Sequence, residues 1–298
     1  MSWNLQMKKR SIQIVPSRLH GMEMVTADTD FSFGRHTHDQ FGIGLMDRGA
    51  QKSLSGRGRV ESSAGDIITV NPGEVHDGSP LAGARAWRMI YLQPERLNRC
   101  FADISEGRFT SGEFSYPVFS NPQLAICFNR LFRAVTQNDG LAAEETLLVM
   151  AAALAEIPRP HLAFPQDGIV RAREMIDDEP DSPLTLAELA AEAGLSQYQL
   201  LRGFKRRTGL TPHAYLLQRR LLLARRLILA GDELAEVANA CGFADQSHMT
   251  RLFVRSFGYT PGSFSRQSAR TLPLQRRAAI SFKTVWLLHL KLGANYRQ

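Results

Sequence analysis

The sequence predicts an α+β protein. Its N-terminal half reads as an antiparallel β-barrel followed by helices, and its C-terminal half as an all-α domain with two helix–turn–helix units. Three observations lead there. Residues 41–91 are rich in Gly and in β-branched and aromatic residues, with turn signals at short spacing. Beyond about residue 169 the apolar residues recur at helical spacing. Residues 186–212 and 234–261 are two copies of one pattern.

Composition bounds the answer. The chain has 298 residues, 44% of them hydrophobic, enough for about two globular domains. Lys and Arg number 36 against 29 Asp and Glu, a net charge of +7. Arginine forks onto phosphates and guanine edges, so the excess points to nucleic acid. Cys100, Cys127 and Cys241 have no metal-type spacing and read as reduced thiols. The N-terminus lacks an apolar signal region, and the apolar run at 285–292 is short and broken by His289 and Lys291. A cytoplasmic protein with no membrane partner is expected.

In the N-terminal half, turns at Arg48-Gly49, 56–58, 64–66 and Pro72-Gly73 separate short strands. Within them lie His36-Thr37-His38 and the run NPGEVH ending at His76. A His-x-His pair on a strand places both rings on one face, and His76 from a neighbouring strand would make a triad. Glu74 and Asp77 flank His76, as amine binders, as orienting groups for the imidazole, or as solvated turn residues. Arg88 and Tyr91 fall on the next strand, where one of them would point inward as a carboxylate anchor. The candidate ligand-binding residues are therefore His36, His38, Glu74, His76 and Arg88.

Residues 122–133 and 142–157 read as two helices joined by the turn 137–140. Their apolar stripes suit either packing on the barrel or association with a second copy. Pro158, Pro160 and Pro165 mark a stiff linker. The expected boundaries are 1–158, a linker at 159–167, a helical domain at 168–268, and a tail at 269–298 for which the sequence suggests no role.

The repeat carries the strongest signal. LAELAAEAGLSQYQLLRGFKRRTGLTP is followed 48 residues on by LAEVANACGFADQSHMTRLFVRSFGYTP. Gly194 and Gly242 end a first helix in each copy, where a left-handed residue is easiest as glycine. Ser196 and Asp245 stand at N-cap positions. Leu200 with Phe204, and Met249 with Phe253, are i,i+4 core pairs. Gly209 and Gly258 end the second helices, and Thr-Pro restarts the chain. Geometry then assigns the outer faces. One carries Gln197, Tyr198, Leu201, Arg202 and Lys205; the other carries Gln246, Ser247, His248, Arg251 and Arg255. These side chains suit phosphates and base edges in a major groove. Leu201 is the exception, placed either against a thymine methyl or in the core. Between residues 202 and 266 there are 11 Lys or Arg and only 4 acids. A Leu/Ala-rich helix at about 213–230 joins the copies and carries Arg219, Arg220, Arg225 and Arg226.

Residues from about 169 to 267 resemble the DNA-binding domain of the AraC/XylS family of transcription regulators. The resemblance rests on Leu186-Ala187-Glu188-Leu189-Ala190, Gly194-Leu195-Ser196, Arg202, Phe204 and Gly209. In the second copy it rests on Gly242-Phe243, Asp245, Ser247-His248, Arg251, Phe253, Gly258 and Thr260-Pro261. It implies seven helices, with reading helices at about 197–208 and 246–257. Met249 departs from it, standing where the family prefers an aromatic. The two histidine motifs resemble those of a cupin barrel, the sensor half of many such regulators. The glutamate of the first cupin motif is absent, Gln40-Phe41-Gly42-Ile43 standing there, so no metal or other cofactor is expected. The resemblance implies a ligand-responsive, sequence-specific regulator of transcription rather than an enzyme, and leaves open whether it acts as activator or repressor. Its implied partners are double-stranded DNA, RNA polymerase, a small-molecule effector and a second copy of the chain. The alternative is a cupin-type metalloenzyme with an appended helical domain.

Overall fold

The structure is a computed structural model that describes residues 11–15, 17, 19–107, 112–157 and 168–269. The expected linker and nearly all of the expected tail lie outside these residues. The N-terminal half contains β1 (Ser11–Val15), β2 (Met22–Thr29), β3 (Phe33–His36), β4 (Phe41–Arg48), β5 (Ala50–Ser55), β6 (Gly58–Ser63), β7 (Ile67–Val70), β8 (His76–Pro80), β9 (Arg85–Leu92) and β10 (Val118–Phe119). With them are α1 (Pro94–Ile104), α2 (Pro122–Thr136) and α3 (Gly140–Ala155). A six-stranded sheet in the order β1-β2-β9-β4-β7-β10 faces a four-stranded sheet in the order β3-β8-β5-β6, and all the pairings in the registers are antiparallel.

The larger sheet is covered on both faces, and the period of two sorts its side chains. Met22 and Met24 of β2, Phe41, Ile43 and Leu45 of β4, and Ile90 and Leu92 of β9 join a core with Phe101, Phe128, Leu131, Leu147 and Met150 of the helices. Their neighbours of opposite parity, Glu23, Val25, Trp87, Met89 and Tyr91, face the interior between the sheets. Gly42 and Gly44 lie on that interior face, where a Cβ would run into Met89 and, at Gly42, Tyr91. The aromatic interior needs those two positions bare.

The C-terminal half is α4 (Gly168–Asp178), α5 (Leu186–Ala193), α6 (Gln197–Thr208), α7 (Pro212–Ala230), α8 (Leu234–Ala240), α9 (Gln246–Phe257) and α10 (Pro261–Ala269), the seven helices the resemblance implies. It has two cores. One packs Ile169, Ile176, Leu189, Leu200 and Phe204 against Tyr215 and Leu216 of α7. The other packs Leu221, Leu222 and Ile228 of α7 with Val237, Met249, Phe253 and Phe264. The single helix α7 therefore belongs to both modules and fixes them to one another.

Local sequence accounts for the boundaries. Thr185 with Glu188 and Ser196 with Gln199 form reciprocal capping boxes that open α5 and α6. Asp245 caps α9 through the His248 amide at 2.6 Å. Gly209 and Gly258 close α6 and α9 at φ 78° and 79°, a conformation that suits glycine.

Candidate functional site

Each second helix of the repeat buries one side and exposes the other. Leu200 and Phe204 of α6, and Met249 and Phe253 of α9, are wholly buried. On the opposite side Gln197, Tyr198, Leu201, Arg202 and Lys205 of α6, and Gln246, Ser247 and Arg251 of α9, are exposed. Leu201 sits with the exposed set, outside the core. The Arg202 guanidinium lies 5.7 Å from the centre of the Tyr198 ring, a cation–π contact. His248 is half-buried, edge-on to Phe243 with ring centres 5.7 Å apart. Arg255 is exposed as well, at the barrel end of the helix. It lies against the barrel, where a Cβ on Gly34 would come within 3.1 Å of its Nε. It is one turn beyond Arg251, and the helix has by then rotated it toward β3.

Three of the four arginines on α7 are held inside the protein. Arg219 pairs with Asp39 of the barrel and with Asp177 of α4. Arg220 donates to the carbonyls of Pro180, Ser182 and Gly242. Arg225 donates twice to Glu23 of β2, at 2.7 and 2.9 Å. Arg226 alone of the four is exposed. The positive charge that the sequence places on this helix is thus largely structural.

The second feature is a cavity with about 710 Å³ of unfilled space, its mouth included. The barrel contributes Phe33, His36, His38, Gln51, His76, Trp87, Met89 and Tyr91. The helical domain contributes Arg225 of α7, Ser256 and Phe257 of α9, and Tyr259. His36 and His38 are buried and His76 is half-buried. Desolvation, with a smaller push from His76, lowers the pKa of His36 to about 3. Desolvation lowers His76 to about 4, against the Glu74 carbonyl. Desolvation and then His36 hold His38 well below its ordinary value. All three rings are neutral at physiological pH. Burial likewise raises the hydroxyl pKa of Tyr91 and Tyr259.

Two residues expected in this site are elsewhere. Glu74 turns away from the cavity, accepting from Ser55 Oγ, from Arg57 at 3.1 and 2.9 Å, and from the Asn71 amide at 3.0 Å. It organises the turn that carries His76. Arg88 has the wrong parity on β9. It pairs with Asp47, donates to Asn129 at 2.8 Å, and lies over the rings of Phe128 and Phe132. Trp87 and Tyr91, its neighbours of opposite parity, line the cavity instead. The contributions of Arg225, Phe257 and Tyr259 come from across a domain boundary, and no local pattern announces them.

The barrel also touches the C-terminal caps of both reading helices. Arg35 donates to the Gly209 carbonyl, and Val75 packs beside Gly209. Ile12 and Phe33 close over Gly258. The sensor half thus holds the two reading helices at equivalent points.

Comparison with known proteins accords with this architecture. Residues 19–154 match the AraC-like ligand binding domain, and residues 189–267 match a helix-turn-helix domain. The chain belongs to the AraC family of transcriptional regulators. It is 26% identical over 254 residues to the uncharacterized HTH-type transcriptional regulator YbfI of Bacillus subtilis, covering 82% of this chain and 91% of that one. It is 26% identical over 255 residues to the HTH-type transcriptional activator RhaS of Pectobacterium atrosepticum, covering 80% and 89%. The fold is shared with ToxT of Vibrio cholerae bound to an unsaturated fatty acid. There the TM-score is 0.57 at 10% identity, over 84% of this chain and 96% of that one. This AraC-type chain is a ligand-responsive, DNA-binding regulator, and its family is one of regulators, not enzymes. The metalloenzyme alternative is set aside on that ground. Among the described residues no helix is long and apolar enough to cross a membrane.

Proposed function

We propose that α6 and α9 enter successive major-groove segments of one DNA site. Tyr198 and Arg202, and Ser247, His248 and Arg251, would read bases, while Gln197, Lys205 and Gln246 would position the phosphates. One observation carries this reading: both helices bury the same repeat positions and leave Tyr198, Arg202, Ser247 and Arg251 exposed, with His248 half-buried beside them. Leu201 would meet a thymine methyl.

The effector site is the cavity between the barrel and α9. Its aromatic walls and neutral imidazoles suit a compact ligand with an apolar or aromatic body and hydrogen-bonding groups. ToxT, of the same fold, has been solved with a fatty acid bound. An effector there would touch barrel and reading domain together, so its affinity would differ between two arrangements of the halves, as ligand control requires. Activation through RNA polymerase follows the activator names of the RhaS relatives. Pairing with a second copy would use α2 and α3, where Ile126, Leu141 and Val149 are more than half exposed. A cytoplasmic location follows from the same role.

The test is a mobility-shift assay on the DNA upstream of the gene, repeated with amino acids, sugars, aromatic acids and fatty acids. A specific shift that one ligand class changes supports the reading. Equal binding to all sequences, unaltered by every ligand, contradicts it.

A further inference from the structure

The polar groups of the cavity are mostly acceptors, and their spacing says what donor they fit. His36 ends β3, and its register partner across the strand pair is His76, the first residue of β8. His36 Nδ1 lies 2.7 Å from the Gly34 carbonyl, and His76 Nδ1 lies 3.1 Å from the Glu74 carbonyl. A carbonyl oxygen only accepts, so each Nδ1 carries the proton of its neutral ring and each Nε2 a lone pair. His38 Nε2 is buried with no hydrogen-bond partner among the described residues. Buried polar nitrogens left bare are costly, so a bound molecule that donates to them is favoured.

One nitrogen from each ring can be chosen so that all three lie within 4.8 Å of one another. A primary ammonium has three N–H donors at tetrahedral angles, and at a hydrogen-bond length of roughly 2.9 Å it sets its acceptors about 4.7 Å apart. A metal ion at about 2.1 Å from each nitrogen would need them closer, at roughly 3.4 Å. A hydroxyl brings one donor to such a tripod, and a carboxylate brings none.

Charge and walls favour a cation as well. The charged residues that line the cavity are Glu23, Asp77 and Arg225. Glu23 and Arg225 neutralise each other, which leaves Asp77, the neighbour of His76 in the chain. Asp77 Oδ1 accepts from the Leu54 amide at 2.7 Å, but its charge is only loosely met, by Arg35 Nε 3.9 Å from Oδ2. Aromatic rings stand round the imidazoles. The Tyr91 ring centre is 4.7 Å from that of His38, and Phe33 and Phe257 are 6.2 and 6.4 Å from that of His36. Faces of this kind attract a desolvated ammonium.

We propose that the effector is a primary amine with an apolar or aromatic body, its ammonium group seated on His36, His38 and His76 beside Asp77. This rests on the reading of the cavity as the effector site and names the chemical class that site takes. Phe257 belongs to α9, so the body of an amine held there packs against the second reading helix.

The experiment is isothermal titration calorimetry on the full-length protein, stripped with a chelator and dialysed. Four probes share one body: 2-phenylethylamine, its N,N,N-trimethyl analogue, 2-phenylethanol and phenylacetate. The amine is expected to bind at one site per chain, with the alcohol roughly tenfold weaker or worse and no binding of phenylacetate. The trimethyl analogue keeps the charge but has no N–H donor, so it too should lose about tenfold. His76→Leu should weaken the amine by a similar factor. His76→Gln, which keeps an acceptor oxygen, should recover part of the loss, and His213→Ala, at an exposed histidine outside the cluster, should match the wild type. Circular dichroism checks folding, and if His76→Leu does not fold, the four probes on the wild type decide. Alcohol or phenylacetate bound as tightly as the amine overturns the ammonium assignment and leaves the cavity as the effector site. An equally tight trimethyl analogue gives the charge to the aromatic faces and overturns the tripod. Amine binding that appears only after zinc is restored overturns the proposal, and so does the failure of every probe to bind. The effector reading itself then stands or falls on the mobility-shift panel.

Discussion

Arg225 of α7 and Glu23 of β2 are joined by two hydrogen bonds, 2.7 and 2.9 Å long, across the boundary between sensor and reading domain. Their side chains are 9% and 18% exposed, so the pair sits largely out of water. The guanidinium also lies over the rings of Phe257 and Phe264, 4.9 and 4.7 Å from their centres. Removing one member of such a pair leaves the other as an unmatched buried charge. Glu23→Ala is therefore expected to destabilise the protein by about 3 kcal/mol. Adding Arg225→Met should recover much of that loss, because the stranded charge is gone. Urea denaturation of the two singles and the double measures the coupling. Additive losses would mean that the pair contributes little.

Arg251 and Arg225 should differ in what they do to DNA binding. Arg251 is exposed on α9, while Arg225 is buried against Glu23. Arg251→Ala is expected to cost about 1–3 kcal/mol on the cognate site and to relax preference at one base pair. Arg225→Ala should leave base preference intact, whatever it does to stability. Quantitative footprinting on a library of single-base variants separates the two. A uniform loss across all sequences for Arg251→Ala would make it a phosphate contact.

How much of this was legible in the sequence depends on the range of the interaction. Local signals placed α6 and α9 at their observed ends, because caps and left-handed glycines act within one turn. Leu200, Phe204, Met249 and Phe253 were assignable by helical period alone. The histidine cluster was legible as motifs, since its register partners lie within one barrel. Arg88 was misplaced because parity on β9 needs one known anchor, and a strand covered on both faces carries no polar side to supply it. The burial of Arg219 and Arg225 escaped entirely. Asp39 and Glu23 are 180 and 202 residues away, and a charge run looks the same whether its partners are phosphates or buried carboxylates.

The cap glycines of the two reading helices should respond unequally to alanine. Gly209 and Gly258 have nearly the same backbone, φ 78° and 79°. An added Cβ at Gly209 would meet only Val75 Cγ1, at an ordinary 3.7 Å. At Gly258 it would collide with Ile12 and Phe33 of the barrel. Gly209→Ala should cost about 1 kcal/mol, the left-handed penalty alone. Gly258→Ala should add an overpacking cost of about 1–3 kcal/mol. Ile12→Ala should relieve part of the second loss and none of the first. Thermal melts of the wild type, the three single variants and the two doubles with Ile12→Ala decide it, and equal losses at the two glycines would mean that the barrel does not press on α9.

Cys241 supplies a test of the second helical core at alkaline pH. Its side chain is wholly buried beside Val237 and Phe243. Desolvation, aided by Asp181 and opposed by Arg220 and Arg226, pushes its thiol up from 9.0 to about 12. A thiol raised in this way stays protonated in the folded protein, while the unfolded chain ionises above pH 9.0. The stabilising contribution is whole below that pH and is lost as pH climbs toward 12, with a limiting slope of about 1.4 kcal/mol per pH unit. Native protein at pH 9.0 should therefore leave Cys241 unalkylated by iodoacetamide, while the half-buried Cys127 reacts. Peptide mapping by mass spectrometry after a short pulse reads both sites. Rapid modification of Cys241 in the folded chain would show that α7, α8 and α9 open at this point without global unfolding.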